Sequence, residues 1–317
     1  MSSLPGRSAH GHSAPDACSV GFERAGVSAY GTAARATFFV ALEQPGPWGR
    51  DAARQSHLGP VLGGALSDAC ASRGGRLTLL RRPGAHPDTR HGGEHTAYLA
   101  WCGPGAWLLE LTVTDPASLL EADLDALASG DRDAVLATME GARPAEPVLL
   151  VCTNGRRDVC CAVRGRPVAL AAEAEHQGRV WEASHTGGHR FAPTGVLLPH
   201  GATLARLDAD LCGQVLECAS RDELPGAVLG PGHDRGRSGL DVGGQVAEAH
   251  VRVVEGITSL SALTTTPLAG SLDTYAVSHR DGRSWTVVVE TEEGAPLPES
   301  CGKAALPLRV RKPRISG

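Results

Sequence analysis

Residues 147–161, PVLLVCTNGRRDVCC, and residues 179–201, RVWEASHTGGHRFAPTGVLLPHG, decide the fold of this chain. Pro147–Val151 is a short apolar run that predicts a strand, and it empties into a polar loop over Cys152–Cys161. A helix follows over roughly Pro167–His176, and Arg179–Ala183 predicts the next strand. Gly195–Leu198 and Thr203–Leu207 are two further strands, joined by the turn residues Pro199-His200-Gly201-Ala202. Asp208 then opens a helix over Leu211–Ala219, an N-cap residue before an apolar periodic run. The order is β-α-β-β-β-α.

Upstream, the same order recurs. Ala36–Leu42 (ATFFVAL) is an apolar strand-like run closed by the turn-rich Gln44–Gly49. A helix is expected over His57–Ser72, then strands over Arg76–Leu80, Ala97–Cys102 and Trp107–Val113. Asp115-Pro116 marks a helix start, and SLLEADLDALAS continues it with helical periodicity. Two such halves predict an α/β protein of two tandem open sheets with helices packed beside the strands, as in the thioredoxin fold. The expected division is a disordered N-terminus at 1–20, a first half at 21–130, a linker at 131–146, a second half at 147–224 and a C-terminal region at 225–317. In that last region Pro225–Gly239 is Gly-rich and reads as a surface loop, and Gln245–Val254 has helical spacing. Tyr275–Ser278 and Ser284–Glu290 flank Asp281-Gly282, a hairpin signal, and Arg309–Arg314 reads as a basic tail.

Bulk composition narrows the function classes. A length of 317 residues favours two domains, and 42% apolar with 21% charged residues is ordinary for a soluble globular protein. A formal net charge of −5 argues against nucleic acid as a partner, and no apolar run is long enough for a membrane span. The first twenty residues lack a basic start followed by an apolar run, so no secretory signal is expected. Nine cysteines without such a signal point to a reducing cytoplasmic setting, where thiols stay free or bind metal. Cys70, Cys212 and Cys218 lie in apolar helix-like stretches and read as small buried hydrophobes, while Cys18, Cys102 and Cys301 stand alone in sequence. No strand–GxGxxG–helix unit is present, so neither a nicotinamide nor a flavin is expected.

The informative residues fall in one window: Cys152, the doublet Cys160-Cys161, and His185-Thr-Gly-Gly-His189. Both loops leave strand ends of one β-α-β unit, where open α/β sheets gather ligand sites. A zinc finger delivers its cysteines two to four residues apart, whereas eight residues separate Cys152 from Cys161. The His-x3-His pair does suit zinc, so a structural zinc site stays open, beside a diiron cluster, a dithiol at Cys160-Cys161 and a purely structural reading.

The loop CTNGRRDVCC followed by VWEASHTGGHRFAPTGVLLPHG resembles the sucrase/ferredoxin-like family, relatives of the thioredoxin-like 2Fe–2S ferredoxins. QPGPWGRDA at Gln44–Ala52 resembles that family's first half, and the resemblance covers roughly residues 20–220. It implies a 2Fe–2S cluster held by Cys152, Cys161, His185 and His189, with His-x3-His in place of a second Cys pair, and Cys160 left beside the site. Function is then electron transfer, with one-electron steps coupled to protons on the outer imidazole nitrogens. Gly187 and Gly188 would let backbone N–H groups approach the cluster, and Arg156 and Arg190, with Arg157 and Arg164, would face a redox partner, a reductase or ferredoxin. Solvated surface charge is the plain alternative for these arginines. His91-Gly-Gly-Glu-His95 mimics the His pair in the first half, but its strand end reads Leu42-Glu43-Gln44 without a cysteine, so both are read as surface histidines. Sucrose hydrolysis, which the family name suggests, would need two carboxylates flanking the bond, and no such pair stands in a motif.

Overall fold

Phe38, Val40 and Leu42 pack into one apolar cluster while Phe39 and Ala41 pack into another, so the first strand is buried on both faces. That is why its sequence runs apolar without alternation. The computed structural model describes residues 17–85 and 93–316. In chain order the first part holds α1 (Cys18–Arg24), β1 (Phe38–Glu43), α2 (Ala52–Gln55), α3 (Gly59–Ala71), β2 (Arg76–Arg81), β3 (His95–Trp101) and β4 (Trp107–Val113). Then follow α4 (Leu124–Ser129), α5 (Arg132–Thr138), β5 (Arg143–Pro144), β6 (Val148–Cys152), α6 (Val159–Glu175) and β7 (Val180–Ala183). Next come β8 (Gly195–Leu198), β9 (Ala202–Leu204), α7 (Ala209–Ala219), β10 (Asp234–Arg237) and α8 (Val242–Glu255). The chain ends in β11 (Leu263–Pro267), β12 (Thr274–His279), β13 (Ser284–Leu297) and β14 (Leu306–Ser316).

These strands make a mixed α/β protein with one ten-stranded sheet and a separate four-stranded sheet at the C-terminus. The large sheet runs β10-β9-β8-β6-β7-β2-β1-β3-β4-β5. Within it β1 lies parallel to β2 and antiparallel to β3, and β6 lies parallel to β7 and antiparallel to β8. The two halves therefore repeat one strand order, and they join edge to edge where β2 pairs antiparallel with β7. One face of each half carries its own apolar core, while the other face forms a cluster drawn from both, with Phe39 and Tyr98 beside Leu150 and Trp181.

The β2–β7 seam carries a buried ion pair. Arg81 sits opposite Glu182 in register, and its Nε donates to Glu182 Oε2 at 3.0 Å, with both side chains almost wholly buried. Thr153 Oγ1 donates to the same carboxylate at 2.8 Å, and the Arg81 guanidinium lies 4.5 Å from the Trp48 ring. Arg81→Met would strand a carboxylate in the seam, and half-exposed Arg166 at 3.8 Å is a weak substitute. The expected cost is about 3 kcal/mol, read as a lower denaturant midpoint, and Arg81→Met with Glu182→Gln should recover most of it. A double variant as unstable as the single one would assign the loss to packing of the Arg81 stem.

Several expectations are corrected. The helix expected after Asp115-Pro116 is a 3-10 turn, Pro116–Leu120, and then α4, because the Asp123 carboxylate accepts from Asp125 N and Ala126 N and starts a new helix. The stretch expected as a linker holds α5, capped by Asp131 and anchored by buried Val135. The second-half helix begins at Val159 rather than near Pro167, with Pro167 inside it, because Asp158 caps the earlier start. The Gly-rich stretch 225–239 is not wholly a surface loop: β10 lies within it, fully buried at the sheet edge. The basic tail is β14, paired with β13 from Ser316 opposite Thr286 to Leu306 opposite Leu297. The expected disordered N-terminus overlaps α1, and residues 1–16 lie outside the described residues. Among the described residues no helix is long and apolar enough to cross a membrane.

Candidate metal centre

Cys152 is the last residue of β6 and fully buried, and its N–H donates to Thr194 O at 2.9 Å. Cys161 lies in the first turn of α6, also fully buried. Helix α6 reaches Cys152 closely because residue 165 is glycine: a Cβ there would collide with the Cys152 carbonyl. His185 follows β7 by two residues, and its carbonyl accepts from Arg76 Nη2 at 3.0 Å. Strand end, helix start and loop thus converge: the ligand atoms of Cys152, Cys161 and His185 all lie within 4.8 Å of one another, with Cys152 Sγ 4.0 Å from His185 Nδ1. These groups could hold a metal ion.

His189 opens a 3-10 turn, His189–Phe191, and its ring centroid lies 5.7 Å from that of His185. It stands outside the three-residue group. Both its ring nitrogens are buried without a hydrogen-bond partner among the described residues, and Asp158 Oδ2 is 3.6 Å from Nε2. Two orphaned imidazole nitrogens beside two buried thiols fit a metal ligand better than a core residue, since unpaired buried polar atoms are costly. The expected solvent-facing outer nitrogen is not seen at this histidine.

Electrostatics favour one thiolate in the pair. The Cys161 thiol hydrogen-bonded to Cys152, with His185 beside it, holds Cys152 well below the usual thiol range against burial. The same bond, together with burial, pushes Cys161 well above that range. Burial lowers the His189 pKa, which keeps the imidazole in its neutral, ligating form.

The loop between the histidines is held by a residue the sequence did not mark. Arg235, on β10, is fully buried, and its Nη1 donates to Gly187 O at 3.0 Å while its Nε donates to Thr32 Oγ1 at 3.0 Å. Gly188 has φ +72°, and a Cβ there would run into that guanidinium, so glycine is required twice over. Burial pulls the Arg235 pKa down to about 9, and the thiols of Cys152 and Cys161 pull it back up. Arg235 and Arg76 therefore place positive charge beside the thiols.

The other expected residues are distributed differently. Cys160 faces away from Cys152, toward Cys18 and Cys301. Arg190 pairs with Glu299 at 3.5 Å and Arg164 with Glu23 at 2.9 Å, whereas Arg156 and Arg157 are exposed. His95 begins β3 with its Nδ1 2.8 Å from Glu43 O, apart from the thiols, and His91 lies outside the described residues. A family model described as sucrase/ferredoxin-like matches residues 30–228, more than half of the chain. No curated protein and no solved structure matches.

Proposed function

Because the chain belongs to the sucrase/ferredoxin-like family, we propose that it is an electron-transfer protein whose Cys152, Cys161, His185 and His189 hold a 2Fe–2S cluster. The observation carrying this reading is the convergence of two buried cysteines and His185 beside a His189 whose ring nitrogens are both orphaned. When bound, such a cluster supplies reversible one-electron chemistry. The chain contributes the rest. Neutral imidazoles in place of two thiolates leave the site about two charges less negative, which raises the potential, as in Rieske centres. Arg235 and Arg76 add positive charge that favours the reduced state. The thiols are sealed while His185, Gly187, Gly188 and His189 are partly exposed, so the histidine edge is the route for electrons. Exposed Arg156 and Arg157, in the loop that follows Cys152, would offer basic charge to an acidic reductase or ferredoxin in the cytoplasm. Each half is read as a thioredoxin-like unit, the first without a metal site.

A second reading is a zinc-stabilised module without redox activity, favoured by the closeness of Cys152 Sγ and His185 Nδ1, which one ion could span. Anaerobic purification separates the two. The redox reading expects about two irons per chain, visible absorption that bleaches with dithionite, and a rhombic EPR signal on reduction. A colourless protein that takes up zinc through Cys152 and His185, and no iron on reconstitution, would overturn it.

A further inference from the structure

Three cysteines far apart in sequence meet beside the proposed cluster. Cys18 lies on α1, Cys160 on α6, and Cys301 between β13 and β14. Their sulfurs form a closed triangle: 3.6 Å from Cys18 to Cys160, 3.2 Å from Cys160 to Cys301, and 3.5 Å from Cys301 to Cys18. A carboxylate oxygen of Asp158 joins them, and all four ligand atoms lie within 4.8 Å of one another. Cys18, Cys160 and Asp158 are buried and Cys301 partly so.

We propose that Cys18, Cys160, Cys301 and Asp158 form a second, closed metal site that binds a divalent zinc ion. Tetrahedral zinc with bonds of about 2.3 Å to sulfur needs sulfurs about 3.8 Å apart, so the edges of the triangle need to open by about 0.2 to 0.6 Å, the Cys160–Cys301 edge the most. The buried Asp158 carboxylate adds an oxygen donor to the three sulfurs, a mixed set that zinc accepts. Asp158 is also oriented by hydrogen bonds, as metal-ligating carboxylates are: Oδ2 accepts from Ser300 Oγ at 2.7 Å and from Cys301 N at 3.3 Å, while Oδ1 caps α6 at Cys160 N at 3.0 Å. Binding releases the three thiol protons to solvent and involves no electron transfer. Cys18 and Cys301 both lie outside residues 30–228, so the ion would clasp the N-terminal helix and the β13–β14 turn onto the helix that bears Cys161.

The site does not depend on the 2Fe–2S reading, and the test keeps them apart. Zinc and iron are counted in the anaerobically purified full chain and in Cys18→Ala, Cys301→Ala and Cys152→Ala, with zinc-edge X-ray absorption on the wild type. The expected result is about one zinc per chain, bound by three sulfurs near 2.3 Å and one oxygen near 2.0 Å. Cys18→Ala and Cys301→Ala should lose that zinc and keep the iron and visible spectrum, which also shows that they fold. Cys152→Ala should lose iron and keep zinc. Wild-type zinc at background after growth with added zinc, an all-oxygen shell, or a disulfide among these cysteines by mass spectrometry would overturn the proposal. Zinc lost in Cys152→Ala but kept in Cys18→Ala would move the ion to the first centre and overturn both readings. Iron lost in Cys18→Ala would place these cysteines in the cluster site and overturn the zinc assignment.

Discussion

Cys152→Ala should strip the protein of iron and visible absorption entirely, Cys161→Ala should do the same, and Cys160→Ala should keep both. The asymmetry within the doublet comes from helix geometry. Both cysteines lie in the first turn of α6, and successive helical residues point about 100° apart. One therefore faces Cys152 and His185 while the other faces Cys18 and Cys301. Alanine supplies no ligand atom, and the buried position of Cys152 at the end of β6 admits no replacement from solvent. Iron content per folded chain, with far-ultraviolet circular dichroism as the fold control, reads the result. Bleaching by Cys160→Ala with colour retained in Cys161→Ala would exchange the roles of the two residues.

His189→Cys should retain a cluster and lower its midpoint potential by on the order of 100–200 mV, because a thiolate brings a negative charge where a neutral imidazole stood. His189 is the more informative of the two histidines, since it stands outside the group formed by Cys152, Cys161 and His185. The position can hold the shorter side chain only if the loop 186–188 follows it. That loop is pinned by Arg235 at the Gly187 carbonyl, so the paired variant Arg235→Met should lower the potential further by removing a buried positive charge. An EPR-monitored redox titration measures both shifts. A cluster-bearing His189→Cys protein with an unchanged potential would remove His189 from the ligand set.

The two strand-loop segments around Cys152 and His185 were readable because their chemistry is local. Short apolar strands, an Asp before a helix and a His-x3-His turn each leave a mark within a few residues. The strand order of the halves follows from that local reading, as β1–β4 and β6–β9 lie close to where the sequence places them. Boundaries slipped where a local mark competed with a better one. Pro167 resembles a helix start, yet the Asp158 cap, which accepts from Cys160 N, begins α6 eight residues earlier. The Gly-rich stretch 225–239 resembles a loop, yet β10 fills the open edge beside β9.

The sequence alone carried the repeated β-α-β-β-β-α order through strand and helix periodicity, and its loop motifs carried the resemblance to the family, which in turn implied Cys152, Cys161, His185 and His189 as candidate ligands. Packing of the whole chain set which side of α6 each cysteine of the doublet faces, and it joined β2 to β7, with Arg81 opposite Glu182, so that the halves share one sheet. Only it brought Arg235 to the Gly187 carbonyl, 48 positions away, and Cys18 and Cys301 to Cys160, 142 and 141 positions away. The physical reason is range. Helix caps, turns and strand periodicity are energies between neighbours and leave a sequence pattern. A buried guanidinium or thiol finds its partner through packing of the whole chain, and no pattern in sequence records that distance.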